Sequence, residues 1–338
     1  MSAGVPAASP LVRLLVTAGP AEGRGHLSRG IALAGALRQR AGERFRLELR
    51  VLRGAPTERQ LASLAELGAD VILGEGGGAG RGAAKVTVVD LPDPNEARSG
   101  RLVRGEAGWL VVFDDRELLR GHVAVVVQPS LPTWSGAATA DRILAGYAYA
   151  PIDLAYRRLG QTGDAVTSVG EATTRPTVLV CFGGSDPDDV SGRIGPALAA
   201  DNRWRTEVVL GAGYRGAYSQ DGTAVRDPDD LADRLASCDL AVLGAGTMKF
   251  EAACLGRPAN LLAAADDQVP VGPPYAATGA AAYLGDGRTI DPATVVAAVA
   301  TLIGDPDARR AMSQRAREIV DGEGGDRLAG EILRLTRS

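Results

Sequence analysis

The sequence predicts an α/β chain made of two tandem units, each organised around a mainly parallel sheet. Three observations carry this. Short apolar runs alternate with segments of helical period through both halves, the pattern of strand–helix–strand units. The 338 residues exceed what one hydrophobic core comfortably serves. Turns rich in glycine, serine and aspartate follow several strands, on the side of an open parallel sheet where ligand loops gather.

Residues 1–10 carry no strand or helix pattern and are expected to be disordered. A first domain over 11–160 opens with the apolar run Leu11 to Ala18, after which Leu27, Ile31, Ala34 and Leu37 recur at helical spacing while Arg29, Arg38 and Arg40 take other faces. Further strands are expected at Leu47 to Leu52, Val86 to Val89, Trp109 to Phe113 and Val123 to Val127. The glycine-heavy run from Leu73 to Gly82 reads as a loop. A polar connector over 161–175 leads to a second domain over 176–320, with strands at Thr177 to Phe182, Glu207 to Leu210, Asp239 to Leu243, Ala259 to Ala263 and Ala280 to Leu284. Pro292 to Ile303 and Pro306 to Leu335 have helical pattern, broken near Gly304-Asp305-Pro306 and again at Gly322 to Gly325. The final helix, 321–338, is a candidate to cross back onto the first domain.

Composition bounds the chemistry. With 45% apolar and 23% charged residues the chain reads as a soluble globular protein, and a net charge of −4 gives neither a nucleic-acid footprint nor a polybasic membrane patch. Cys181, Cys238 and Cys254 lack metal-ligand spacing and lie in or beside apolar runs, so they are expected to be buried thiols in a reducing compartment. No signal-like start and no membrane-spanning run is seen, and a cytoplasmic location is expected.

The most informative stretch is Gly244 to Pro258, behind the strand Leu240 to Leu243. A strand that runs through Gly246 and Thr247 into a helix leaves backbone N–H groups pointing outward, a seat for phosphate, and Glu251 one turn on could accept hydrogen bonds from ribose hydroxyls. Gly23, Gly25 and His26 form a second glycine turn before the first helix; Ser28 occupies the third glycine of a dinucleotide fingerprint and no phosphate-loop lysine is present, so neither motif fits. An imidazole at His26 suits proton abstraction near neutral pH, or it caps the turn; His122 lacks such a setting and reads as structural. Gly183, Gly184 and Ser185 either cradle phosphate or form an ordinary turn capped by Asp186. Asp266, Asp267 and Gln268 follow a strand and are either sugar or ribose contacts or solvated surface side chains. Asp114-Asp115 is too sparse a cluster to propose a metal. Trp134, Tyr147 and Tyr149 either stack on a ligand or pack at a domain junction.

Taken together these segments resemble a family. Gly-x-Gly-His-x-x-Arg at Gly23 to Arg29, Phe-Asp-Asp at Phe113 to Asp115, Phe-Gly-Gly-Ser-Asp-Pro at Phe182 to Pro187, Gly-Thr-x-x-x-Glu at Gly246 to Glu251, Cys-Leu-Gly-x-Pro at Cys254 to Pro258 and Asp-Asp-Gln at Asp266 to Gln268 follow the order found in UDP-sugar hydrolases of pseudaminic acid biosynthesis and the related spore-coat polysaccharide proteins. The resemblance implies a glycosyltransferase-B (GT-B) architecture: two Rossmann-like domains with mainly parallel sheets facing across a cleft. It implies His26 as catalytic base and Gly246, Thr247, Glu251 and Gln268 as nucleotide-sugar contacts, without metal or cofactor. Gly23, Gly25, Arg29, Gly183, Gly184, Ser185 and Asp267 complete the expected binding set, and Asp90, Asp114, Asp115 and Tyr149 are candidates for the substrate side. Departures lie at Asp90-Leu91-Pro92 in place of Asp-His-Tyr, at Asp153 in place of an arginine and at Asp267 in place of asparagine.

The expected function is cleavage of a glycosyl–diphosphate bond, with hydrolysis of a UDP-sugar as the leading form and His26 activating water. The first alternative is transfer of the sugar to an acceptor hydroxyl in surface-polysaccharide or glycoconjugate synthesis. The second is a nucleotide-sugar binder without catalysis. The expected partner in each case is a nucleotide-sugar, not nucleic acid.

Overall fold

The structure is a computed structural model and describes residues 9–18, 25–74, 83–98, 108–162, 175–218 and 224–338. It divides into two compact units: residues 1–154 with 323–338 form unit one, and 155–322 form unit two. Most of the expected N-terminal disorder, most of the connector and most of the glycine-heavy loop lie outside the described residues.

Unit one runs β1 (Leu11–Ala18), α1 (Gly25–Ala41), β2 (Arg46–Gly54), α2 (Glu58–Glu66), β3 (Ala69–Leu73), β4 (Val86–Asp90), β5 (Trp109–Phe113), β6 (His122–Gln128) and β7 (Thr139–Ala145), and is completed by the C-terminal helix Gly324–Arg337. Its seven strands are ordered β3-β2-β1-β4-β5-β6-β7 and every recorded pairing is parallel. All eight residues of β1 are buried, as a central strand covered on both faces requires. On one face Val12, Leu14 and Val16 join Leu27, Leu33 and Leu37 of α1 and Leu328 and Ile332 of the C-terminal helix. On the other, Leu15, Val89, Val112 and Val126 form a second apolar cluster.

Helix α3 (Leu154–Gln161) carries the chain into unit two, which contains β8 (Thr177–Cys181), α4 (Val190–Ala199), β9 (Arg205–Leu210), β10 (Ala224–Arg226), α5 (Leu231–Ser237), β11 (Leu240–Gly244), α6 (Met248–Cys254), β12 (Ala259–Ala263), α7 (Gly272–Ala276), β13 (Ala282–Asp286), α8 (Pro292–Gly304) and α9 (Pro306–Ile319). The six strands are ordered β10-β9-β8-β11-β12-β13, again with parallel pairings. Val180, Val208, Val242 and Leu262 pack against Ile194 and Leu198 of α4, Val295 and Val299 of α8, and the fully buried Trp204. Asp291 and Asp305 cap α8 and α9, each ahead of a proline whose missing N–H is no loss in a first turn.

Three strands escape the sequence pattern: β3, β7 and β10, all at sheet edges. An edge strand is half solvated, so it need not carry a continuous apolar run; in β7 only Leu144 is buried. The three cysteines are free and buried, and burial pushes the Cys181 and Cys238 thiols up to about 12. No helix among the described residues is long and apolar enough to cross a membrane.

Candidate functional site

In both sheets the strand order reverses beside the first strand of the unit, β1 in one and β8 in the other. Loops at the carboxyl ends of the strands flanking such a switch point diverge and leave a crevice.

In unit one these ends deliver a connected polar cluster. The parallel register sets Val16 of β1 opposite Asp90, the last residue of β4, so the first turn of α1, which follows β1, comes beside that carboxylate. His26 Nδ1 lies 2.6 Å from Asp90 Oδ1. Arg29 donates to the same carboxylate through two nitrogens, Nε to Oδ2 at 2.9 Å and Nη2 to Oδ1 at 2.6 Å, and through Nη1 to Asp115 Oδ2 at 2.5 Å. Ser130, just beyond β6, donates its hydroxyl to Asp115 Oδ1 at 2.7 Å. The guanidinium also lies over the Phe113 ring, 5.3 Å from its centroid. Arg29 is 6% exposed and Asp90 3%, so the pairing is desolvated and fork-shaped.

This arrangement selects a tautomer. A carboxylate oxygen and a ring nitrogen 2.6 Å apart need a proton between them, and the nearby Arg29 Nη2 can only donate. The neutral ring therefore carries its proton on Nδ1 and leaves the Nε2 lone pair free to accept one. Burial works against the charge on Arg29, but Asp115 and Asp90 outweigh it and hold the guanidinium above its ordinary value. Burial likewise pushes Asp115 up, and the charge of Arg29 with the hydrogen bonds from Ser130 and Arg29 brings it below the usual carboxylate range.

Several expected site residues land elsewhere. Asp114, expected on the substrate side, is a loop staple: it is buried and accepts from the amides of Leu118, Leu119 and Arg116. Burial pushes its carboxyl up, and it and Asp115 address different partners. Tyr149 packs against the apolar core instead of joining the polar cluster, Trp134 packs on the opposite face of the sheet, and Tyr147 is buried. Arg29, expected among the ligand contacts, directs its recorded donors to Asp90 and Asp115. His122 is at the surface beside Asp141 and Thr139. Gly25 starts α1; Gly23 lies outside the described residues.

Unit two presents three turns at the corresponding edge. After β8, Gly183 takes φ +91°, a conformation glycine adopts without strain, and Asp186 folds back to accept from the amides of Val190 and Ser191 at 2.9 and 2.8 Å. Asp186 thus braces the first turn of the following helix, whose N-cap is Asp189. The Gly184 carbonyl accepts from Gly213 N at 2.8 Å, and a Cβ on Gly211 would collide with that carbonyl, so this second glycine pair is required by close approach. At the end of β11, Gly244 lies against Phe182 and Gln268, which joins the first turn to the second. Gln268 accepts from Ala264 N through Oε1 at 3.0 Å and sets Nε2 beside Gly246. Thr247 and Glu251 are half-buried at this edge; Asp267 is exposed, and neighbouring Asp266 pairs with Arg288 at 2.6 Å.

Sequence reasoning missed Ser130, the Arg29 bridge between Asp90 and Asp115, and Lys249 beneath the Gly246 turn. Lys249 left a legible signal, a single cation between Met248 and Phe250 in an otherwise apolar segment. Ser130 left none.

No protein-family model matches the chain. The spore coat polysaccharide biosynthesis protein SpsG of Bacillus subtilis (strain 168) is 26% identical over 172 residues, 47% of this chain and 48% of SpsG, so the match spans about half of that relative's length. Among solved structures, the glycotransferase of kitacinnamycin matches with a TM-score of 0.64 at 16% identity, over 97% of this chain and 99% of the other. MurG of Acinetobacter baumannii matches with 0.59 at 15% identity, over 96% and 99%. The spinosyn rhamnosyltransferase SpnG complexed with thymidine diphosphate matches with 0.59 at 14% identity, over 97% and 100%. The fold is therefore that of the GT-B glycosyltransferases, two parallel-sheet α/β domains. The kitacinnamycin and spinosyn proteins carry the names of sugar transferases and SpsG that of a polysaccharide biosynthesis protein; they lend no support to hydrolysis as the leading reaction.

Proposed function

We propose that this protein moves a sugar from a nucleoside-diphosphate sugar to an acceptor hydroxyl, with His26 as general base. The observation that carries the reading is the His26–Asp90 pair, 2.6 Å apart at the switch point of unit one in a chain of GT-B fold. Nε2 takes the proton of the acceptor hydroxyl as its oxygen attacks the anomeric carbon. The bond from that carbon to the diphosphate oxygen breaks, and the nucleoside diphosphate leaves with the electron pair. Proton transfer to Nε2 contributes about a hundredfold to ten-thousandfold, and Asp90 fixes the ring and stabilises the positive charge it gains. Arg29, bonded to the same carboxylate through two nitrogens, holds it in place against the ring. The donor is held by unit two, through the turns at Gly183 to Ser185 and Gly246 to Thr247 with Glu251 and Gln268. SpnG complexed with thymidine diphosphate supports a nucleoside diphosphate as the leaving group, and SpsG supports a role in polysaccharide synthesis.

The test is turnover of UDP- and TDP-sugars with and without saccharide and lipid-linked acceptors, read by mass spectrometry. Glycosylated acceptor is expected, and His26→Ala should abolish it while nucleotide affinity stays within about twofold. Free sugar released without acceptor would move the assignment to hydrolysis, and binding without any product would move it to a non-catalytic binder.

A further inference from the structure

Lys249 is 2% exposed in α6, where a leucine or methionine would fill the space with no charge to desolvate. Its ammonium is nevertheless well used. Nζ donates to the carbonyl oxygens of Ala245 at 2.7 Å and Gly246 at 3.1 Å, and lies 4.3 Å from the Phe250 ring centroid and 5.7 Å from that of Tyr275. Tyr275 in turn donates its hydroxyl to the Lys249 carbonyl at 3.3 Å.

The two carbonyls dictate where the next two amides point. In a trans peptide the C=O of one residue and the N–H of the next are antiparallel. Because both carbonyls are drawn onto one ammonium, the N–H groups of Gly246 and Thr247 face away from it. Ala245 N is committed to the Leu262 carbonyl at 2.8 Å, whereas the amides of Gly246 and Thr247 have no intramolecular partner among the described residues. Gln268 Nε2, anchored through Oε1, lies beside Gly246.

We propose that Lys249 is a positioning residue that locks the Ala245–Thr247 turn with both amides presented to the diphosphate of the donor. This rests on the nucleotide-sugar reading of that turn. The ligand is met by the outward amides, while the buried ammonium supplies positive charge from the inner side of the same two peptide units. A methionine at this position keeps the length and the apolar stem but releases the carbonyls, so the amides lose their fixed direction.

Calorimetric titration of the full chain with UDP, TDP, uridine and thymidine, for the wild type and Lys249→Met, tests this. Diphosphate binding is expected to weaken about tenfold in the variant, with nucleoside binding within about twofold of wild type. Equal loss of diphosphate and nucleoside affinity, or no loss of either, would overturn the assignment of Lys249 while leaving the nucleotide reading intact. A wild type that binds neither diphosphate would overturn both. Should the variant not fold, the ¹H–¹⁵N signals of Gly246 and Thr247 in the wild type decide: they are expected to shift and gain exchange protection with UDP or TDP, and unchanged signals under saturating diphosphate would refute the proposal.

Discussion

Removing Arg29 should destabilise the protein in a way that a second, distant-in-sequence substitution relieves. The cluster holds one guanidinium against two carboxylates, Asp90 and Asp115, with Arg29 and Asp90 almost fully buried. Arg29→Met leaves the two negative charges facing each other without their shared cation, and uncompensated buried charge costs about 3 to 5 kcal/mol. Asp115→Asn alone keeps the two-nitrogen pairing of Arg29 with Asp90 and loses one charge-assisted hydrogen bond, about 1.5 to 3 kcal/mol at most. In the double variant Asp90 no longer has a carboxylate to repel, so its cost should fall below the sum of the single ones by about 1 to 3 kcal/mol, the range for residues in one network. Calorimetric unfolding of the four proteins at pH 7 measures the cycle. Strict additivity would refute the claim that Arg29 serves both carboxylates at once.

Asp90→Asn should disturb the tautomer of His26; with only two histidines in the chain, ¹⁵N spectra resolve it, and an unchanged Nδ1–H signature would count against the orienting role. Acid should weaken the fold through Asp115: its folded value lies below the unfolded one, so its contribution is complete above about pH 4 and is lost as pH falls through the folded value. Asp115→Asn should therefore flatten the acid limb of a denaturation curve, and an unaltered limb would contradict that linkage. Asn260 is fully buried in β12 with neither amide atom bonded among the described residues, so Asn260→Leu is expected to raise stability by about 1 kcal/mol; a loss of that size would show that the amide has a partner, such as a bound water.

The central strands were legible because a parallel sheet covered on both faces demands continuous apolar runs, as in Val86 to Val89 or Leu240 to Leu243. Edge strands such as β10 carry no such demand, and three residues of mixed character gave nothing to read. At the site, His26, Arg29 and Asp90 could each be named from motifs. Their mutual bonds could not be, because a partnership across 64 residues is set by the register of β1 on β4. Asp114 and Asp115 are neighbours in sequence but turn toward different loops, a divergence that adjacency in the chain conceals.

One consequence of the chain's routing concerns its birth. Strand β1 and the C-terminal helix belong to the same unit, and residues 155–322 are interposed between them. A ribosome therefore delivers every strand of the interposed sheet before it releases the helix that covers α1, where Gly325 seats against Ala36 and Leu328 joins Leu33. The flank of α1 that this helix covers thus gains its partner only after the interposed module has been synthesised.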